Sequence, residues 1–243
     1  METQQTLPET QPKKNPITLA IQRALESKKH RKQPYSEYRS FIQHHYDGLA
    51  GKLTAVSGIL TGHTWLAGRV LRPTAFDVRG CKRILDAGCG NGRHCKYLVR
   101  EADADAVIAA FDLSQRMLNR SRRRVKGDRV RYAAADLTRL PYADGFFDAI
   151  VCGWVLEHLP DPTPGLTELT RVLQPGGKML LMTTEDTLAG AMSSSMWHCR
   201  TYNRQELRQA CEACGLVWHR QLYFTNLHRM FKLGGIIVEV HKP

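Results

Sequence analysis

No apolar stretch in the 243 residues approaches the ~20 that a membrane-crossing helix needs; the longest runs, around 106–111 and 178–182, have the length of strands. The opening Met1-Glu2-Thr3-Gln4-Gln5 has neither the apolar centre of a secretory leader nor the Arg-rich amphipathic pattern of a transit peptide. The seven cysteines are odd in number and scattered, so reduced thiols and a cytoplasmic address are expected. Only Cys211 and Cys214 have ligand-like spacing, and three apart on one amphipathic helix they read as core; no metal site is expected. No fixed-period repeat is present, which sets aside solenoids and propellers.

Acid is scarce. Thirty-five Lys and Arg face 23 Asp and Glu, for a formal charge of +12, while 42% hydrophobic and 24% charged residues exclude wholesale disorder. The basic surplus sits in two places: the first forty residues, and Arg116 to Arg131, where eight basic residues accompany only Asp128. Such excess governs encounter with anionic partners rather than fold.

What is present organises the chain into three parts. Residues 1–33, rich in Gln, Thr, Pro and Lys, read as a flexible basic tail. Residues 34–79 look helical but are broken by Gly48, Gly51, Gly58 and Gly62, implying short helices that form a lid or substrate wall. From 80 to 243, short apolar runs alternate with helical-period stretches. Strands are expected at 83–87, 106–112, 130–134, 147–152 and 178–183, with helices at 92–101, 114–125, 163–173 and 203–214. That alternation predicts an α/β fold with a parallel sheet covered on both faces, closed by an antiparallel hairpin from 216–224 and 236–241 at the sheet edge.

The most informative stretch is Arg83-Ile84-Leu85-Asp86-Ala87-Gly88-Cys89-Gly90-Asn91-Gly92-Arg93-His94: an apolar strand, an acid, and three glycines at alternate positions opening a helix. Such glycines let backbone turn tightly against a ligand. The third glycine falls at Gly92 instead of position 93, unlike a dinucleotide fingerprint, and no Gly-Lys-Ser/Thr follows. Asp86 disfavours a pyrophosphate and suits a ligand bearing an ammonium and a sulfonium. One strand later Asp112 is placed to accept ribose hydroxyls, and one further Asp136, beside Leu137, to accept from an adenine amine.

These motifs resemble those of class I S-adenosylmethionine-dependent methyltransferases over residues 80–243. Asp86-Ala87-Gly88-Cys89-Gly90-Asn91-Gly92 is similar to that family's first motif, Asp112 to its second and Asp136-Leu137 to its third. Phe147-Asp148-Ala149-Ile150-Val151, Val155-Leu156-Glu157-His158-Leu159-Pro160-Asp161 and Leu173-Gln174-Pro175-Gly176-Gly177-Lys178 continue the likeness. The resemblance implies a doubly wound, mostly parallel seven-stranded sheet of the Rossmann-like methyltransferase fold, with an antiparallel edge strand and an N-terminal helical segment. It implies S-adenosyl-L-methionine as cofactor, with Gly88 and Gly90 beneath its methionine part, Asp112 on the ribose, and Met117 and Asp136 on the adenine.

For the acceptor, the resemblance points to Glu157 and His158 after the fourth strand as candidate bases, each with a turn-bracing role as the alternative. Tyr46-Asp47-Gly48 through Gly62-His63-Thr64-Trp65-Leu66 is similar to the leader of the branch that C-methylates demethylmenaquinone and ubiquinone precursors. Tyr46, His63, Trp154, Trp197 and Tyr202 are accordingly candidate acceptor-pocket residues, and a small apolar, quinone- or lipid-like acceptor is expected. Gly153-Trp154-Val155 stands where amino-methylating enzymes carry Asn/Asp-Pro-Pro-Tyr. The alternatives are an RNA-directed enzyme using the basic 116–131 stretch, or a non-catalytic protein of the same fold.

Overall fold

The computed structural model describes residues 35–47, 63–197, 199–231 and 235–243. Among them, seven strands form one sheet in the order β3-β2-β1-β4-β5-β7-β6. They are β1 (Arg83–Ala87), β2 (Val107–Asp112), β3 (Val130–Ala134), β4 (Phe147–Gly153), β5 (Leu173–Thr183), β6 (Val217–Leu222) and β7 (Ile236–His241). The first five run parallel; β7 lies antiparallel between β5 and β6. The expected α/β sheet with an antiparallel edge is therefore present, with the last strand inserted one place in and β6 outermost.

Burial explains the order. Ile84, Leu85, Ile150 and Val151 in the middle of the sheet are fully covered, as a parallel strand with helices on both faces requires. Edge strands β3 and β6 alternate or lie largely exposed. The period of two divides the apolar side chains between two cores. Leu85, Phe111, Ile150 and Leu181 meet the helices α5 (Thr163–Val172) and α7 (Arg204–Ala213) on one face. Ile84, Ile108, Val151 and Leu180 meet α3 (Arg93–Glu101) and α4 (Gln115–Arg124) on the other.

Of the N-terminal segment, α1 (Tyr35–Asp47) and α2 (His63–Val70) are described. Leu66, Val70, Leu71, Phe76 and Val78 are buried in the same core as Ile84 and Leu98. Each such side chain stabilises by about 1.5–3 kcal/mol, so residues 63–78 are integral to the sheet's packing.

The connections depart from expectation in three places. β5 begins at Leu173 instead of 178: Leu173 pairs with Phe147, the register then shifts, and Lys178 resumes opposite Ala149. The Pro-Gly-Gly segment is thus a loop-out inside one strand, with Gly176 at φ +75°. A helix, α6 (Leu188–Trp197), follows β5 where none was expected, and a six-residue helix, α8 (Asn226–Phe231), joins β6 to β7. No described helix is long and apolar enough to cross a membrane.

Candidate cofactor and acceptor site

The chain leaves β1 for β2 and β3 on one side and returns through β4 on the other, so the sheet has its switch point between β1 and β4. A cavity of about 480 Å³ opens at the carboxyl ends of these strands. Gly88 and Gly90 line it with φ +66° and +51°. A Cβ on Gly88 would stand 2.3 Å from Val155, whereas Gly90 faces open space. The loop therefore presents bare backbone to whatever the cavity holds.

Asp112 ties this loop to the next element. Its Oδ2 accepts from the Gly90 N–H at 2.8 Å and its Oδ1 from the Ser114 N–H at 2.8 Å, leaving lone pairs for a further donor. Desolvation beneath the loop outweighs these bonds and pushes its carboxyl up to about 6. Ser114 caps α4 by accepting from Met117 N–H, which sets Met117 against the cavity wall opposite Leu137. Asp136 also lines the cavity, but four donors already address it: the Tyr35 hydroxyl at 2.9 Å, Arg39 at 3.1 Å, and the N–H and hydroxyl of Thr138.

Three expected site residues stand elsewhere. Asp86 is fully buried behind the loop, where the Cys95 thiol donates to Oδ2 at 2.9 Å and His94 Nδ1 lies 3.6 Å from Oδ1. His94 lines the cavity, so the imidazole stands between the acid and any ligand. Gly92 serves packing: a Cβ there would meet Ser121 Oγ at 2.4 Å. Tyr202 is in the core, its hydroxyl donating to the Leu156 carbonyl at 2.8 Å, whereas Cys199, three residues earlier, lines the cavity. The side chains of Tyr46, His63 and Trp197 lie outside the described residues; their backbones belong to α1, α2 and α6.

Glu157 and His158 both line the cavity, in a single 3-10 turn after β4. Glu157 is 2% exposed and accepts from Thr184 Oγ1 at 2.6 Å. Burial dominates and raises its carboxyl to about 8. At neutral pH it is therefore largely protonated and stands as a hydrogen-bonding part of the cavity wall. His158 Nδ1 is 3.1 Å from the Tyr38 hydroxyl. A group whose folded pKa is raised contributes stability at low pH that is lost as pH climbs from about 4.5 through about 8. Replacing Glu157 by Gln keeps a partner for Thr184 and removes that loss. In melts at pH 6 and pH 9, wild-type protein is expected to lose several degrees more than the Gln variant; equal losses would place the proton elsewhere.

Trp154 follows β4 in the left-handed region at φ +58°, uncommon for a bulky residue. It is held between His94, at 6.0 Å between ring centroids, and Phe224, at 6.3 Å, both nearly parallel. Trp154 is one of the residues that line the cavity.

The sequence places a lid or substrate wall in 34–79 but does not single out the four roof residues of α1 that follow. Tyr35, Tyr38, Arg39 and Ile42 of α1 all line the cavity. Their i, i+3, i+4, i+7 spacing is one face of a helix and is the signal that would have found them. Asp47 at the end of α1 accepts from Ser114 Oγ and its carbonyl from Arg116, joining the roof to α4. Arg116, Arg122 and Arg124 of the basic stretch bond Asp47, Asn119 and Asn91, so part of its charge is used within the fold. Away from the cavity, His219, Glu239 and His241 bring donor atoms within 4.8 Å of one another. The two rings stack at 4.3 Å and Arg220 balances the carboxylate.

Residues 85–181 match a family model described as a methyltransferase domain. The chain is 42% identical over 101 residues to a demethylmenaquinone methyltransferase of Clavibacter sepedonicus, covering 41% of this chain and 40% of that one. It is 28% identical over 153 residues to a demethylmenaquinone methyltransferase of Lactiplantibacillus plantarum, covering 61% of this chain and 65% of the relative. It thus spans less than two thirds of either. Among solved structures, a Haloferax volcanii methyltransferase in complex with the Trm112 methyltransferase activator superposes with a TM-score of 0.66 at 18% identity, over 85% of this chain and 98% of that one. An S-adenosylmethionine-dependent methyltransferase of Mesorhizobium loti gives 0.59 at 19%, over 73% and 97%. With the glycine loop, the strand-end acids and the strand order in place, residues 85–181 match the methyltransferase domain family, and the sheet has the fold of the solved methyltransferase structures.

Proposed function

We propose that the chain is an S-adenosylmethionine-dependent methyltransferase that passes a methyl group to a small, predominantly apolar acceptor of quinone or lipid type. The observation that supports this best is that one cavity joins the glycine loop and Asp112 to an apolar wall of Ile42, Val155 and Leu159 beneath α1. The residues present fit the cofactor. Gly88 and Gly90 give its methionine part room, Asp112 keeps lone pairs for the ribose, and Met117 and Leu137 are apolar neighbours for a base near Asp136.

When bound, the cofactor supplies a methyl group already activated on a cationic sulfur. The chain's tasks are then to hold the acceptor in line, exclude water and receive a proton where the acceptor releases one. Tyr35, Tyr38 and Ile42 close the roof; His158, oriented by Tyr38, is the proton-accepting group, with Glu157 neutral beside it. The quinone-type acceptor draws support from the relatives named demethylmenaquinone methyltransferases.

The test is to incubate the protein with deuteromethyl-labelled cofactor and a cell extract, and to follow the label by mass spectrometry. Label in an organic-soluble small molecule is expected; label confined to RNA or protein would overturn the acceptor class. Chelator is expected to leave transfer unchanged, because Asp136 and Glu157 already accept from side chains of the protein and the metal-ligand cluster found among the described residues, His219, Glu239 and His241, lies away from the cavity. Loss of transfer in chelator, restored by magnesium, would contradict this.

A further inference from the structure

A second hollow, of about 490 Å³, lies between the end of α2 and the turn joining β6 to α8. Arg69, Arg72 and Arg229 line it together with Gln221, Thr225 and Asn226, and no Asp or Glu is among its described lining residues. Three arginines from two segments some 150 positions apart in sequence thus line one hollow.

Other arginines of the fold are neutralised. Arg79, Arg171, Arg204, Arg208 and Arg220 each rest on an acid. The side chains of Arg72 and Arg229 have no hydrogen bond or ion pair with any described residue. Arg69 is half-buried, and its Nε donates to the Phe224 carbonyl at 2.9 Å, which fixes the direction of its guanidinium. One cation is therefore braced, and two are available on the same concave surface.

We propose that this hollow binds a phosphate or diphosphate group of a small molecule. Guanidinium forks match the oxygens of such anions in pairs, and the amides of Gln221 and Asn226 add uncharged donors. The absence of acid removes the repulsion that normally opposes a dianion at a surface. The hollow also shares a wall with the cavity: Phe224 lines it and stacks on Trp154, which lines the cavity. An anion bound here sits one aromatic layer from the acceptor wall. The inference stands on charge and geometry alone and does not depend on the methyl-transfer reading.

Calorimetry on the full chain with sodium pyrophosphate, in about 150 mM salt and without magnesium, tests it. Saturable one-site binding is expected, weakened at least about tenfold in the Arg72→Ala/Arg229→Ala double variant. Both side chains are exposed, so the variant keeps its fold, which a melt verifies. The control is Arg123→Ala/Arg131→Ala, which removes the same charge from exposed positions on α4 and β3 and is expected to bind as wild type. No saturable binding, or equal weakening in the control, would reduce the hollow to diffuse surface charge. Dependence on Arg72 and Arg229 for a single-stranded RNA oligonucleotide, with none for pyrophosphate, would replace the small anion by a polynucleotide and overturn the proposal.

Discussion

Replacing Asp112 by Ala is expected to weaken binding of S-adenosylhomocysteine by about ten- to a hundredfold, the equivalent of about 1.5–3 kcal/mol for hydrogen bonds to a charged acceptor. The carboxylate has two roles at once. It accepts the N–H groups of Gly90 and Ser114, which fixes the glycine loop against the start of α4, and in the proposed site its remaining lone pairs would accept from the ribose. Part of the loss is therefore loop order, and a melt separates a loosened loop from a lost fold. The pH dependence is a sharper sign of direct contact. With the carboxyl raised to about 6, wild-type affinity is expected to fall as pH drops below 6 and the acceptor is protonated. The Ala variant has no such step. Calorimetry from pH 5 to pH 8 reads both effects; affinity unchanged in the variant would remove Asp112 from the site.

Deleting residues 1–47 is expected to leave a cooperatively melting domain while methyl transfer drops by at least about a hundredfold. The remaining chain keeps α2, whose Leu66, Val70 and Leu71 complete one face of the core, so the sheet stays packed. What leaves is the roof. Tyr38, 1% exposed, no longer orients His158, and Asp136 loses Tyr35 and Arg39. Water then enters the cavity and the acceptor has one wall fewer. Deleting only residues 1–33 is expected to leave transfer nearly intact, since that segment is polar and proline-punctuated. Transfer at the full rate in the longer deletion would make α1 an appendage and leave the acceptor site without its lid.

Much of this was readable from the sequence because parallel sheets write themselves as short apolar runs. Strands 83–87, 130–134 and 236–241 were expected at their observed bounds. The glycine loop and the strand-end acids were legible for the same reason: a ligand at the carboxyl ends of such a sheet needs bare backbone and acceptors at those places. α6 was not, since Leu188-Ala189-Gly190-Ala191-Met192 followed by three serines has no polar face to alternate with an apolar one. The surroundings of Asp86 were not legible, because no local pattern shows that α3 turns His94 and Cys95 back onto it. Tyr202 has the composition of an acceptor wall, yet its hydroxyl is satisfied by a backbone carbonyl in the core, a long-range pairing that spacing does not encode.

The most direct measurement of the central claim is a crystal structure of the full chain with S-adenosylhomocysteine. The account predicts the homocysteine part over Gly88 and Gly90, the ribose hydroxyls on Asp112, the adenine between Met117 and Leu137, and the sulfur facing Trp154 and His158. A ligand bound outside this cavity, or one in it that leaves Asp112 untouched, would contradict it.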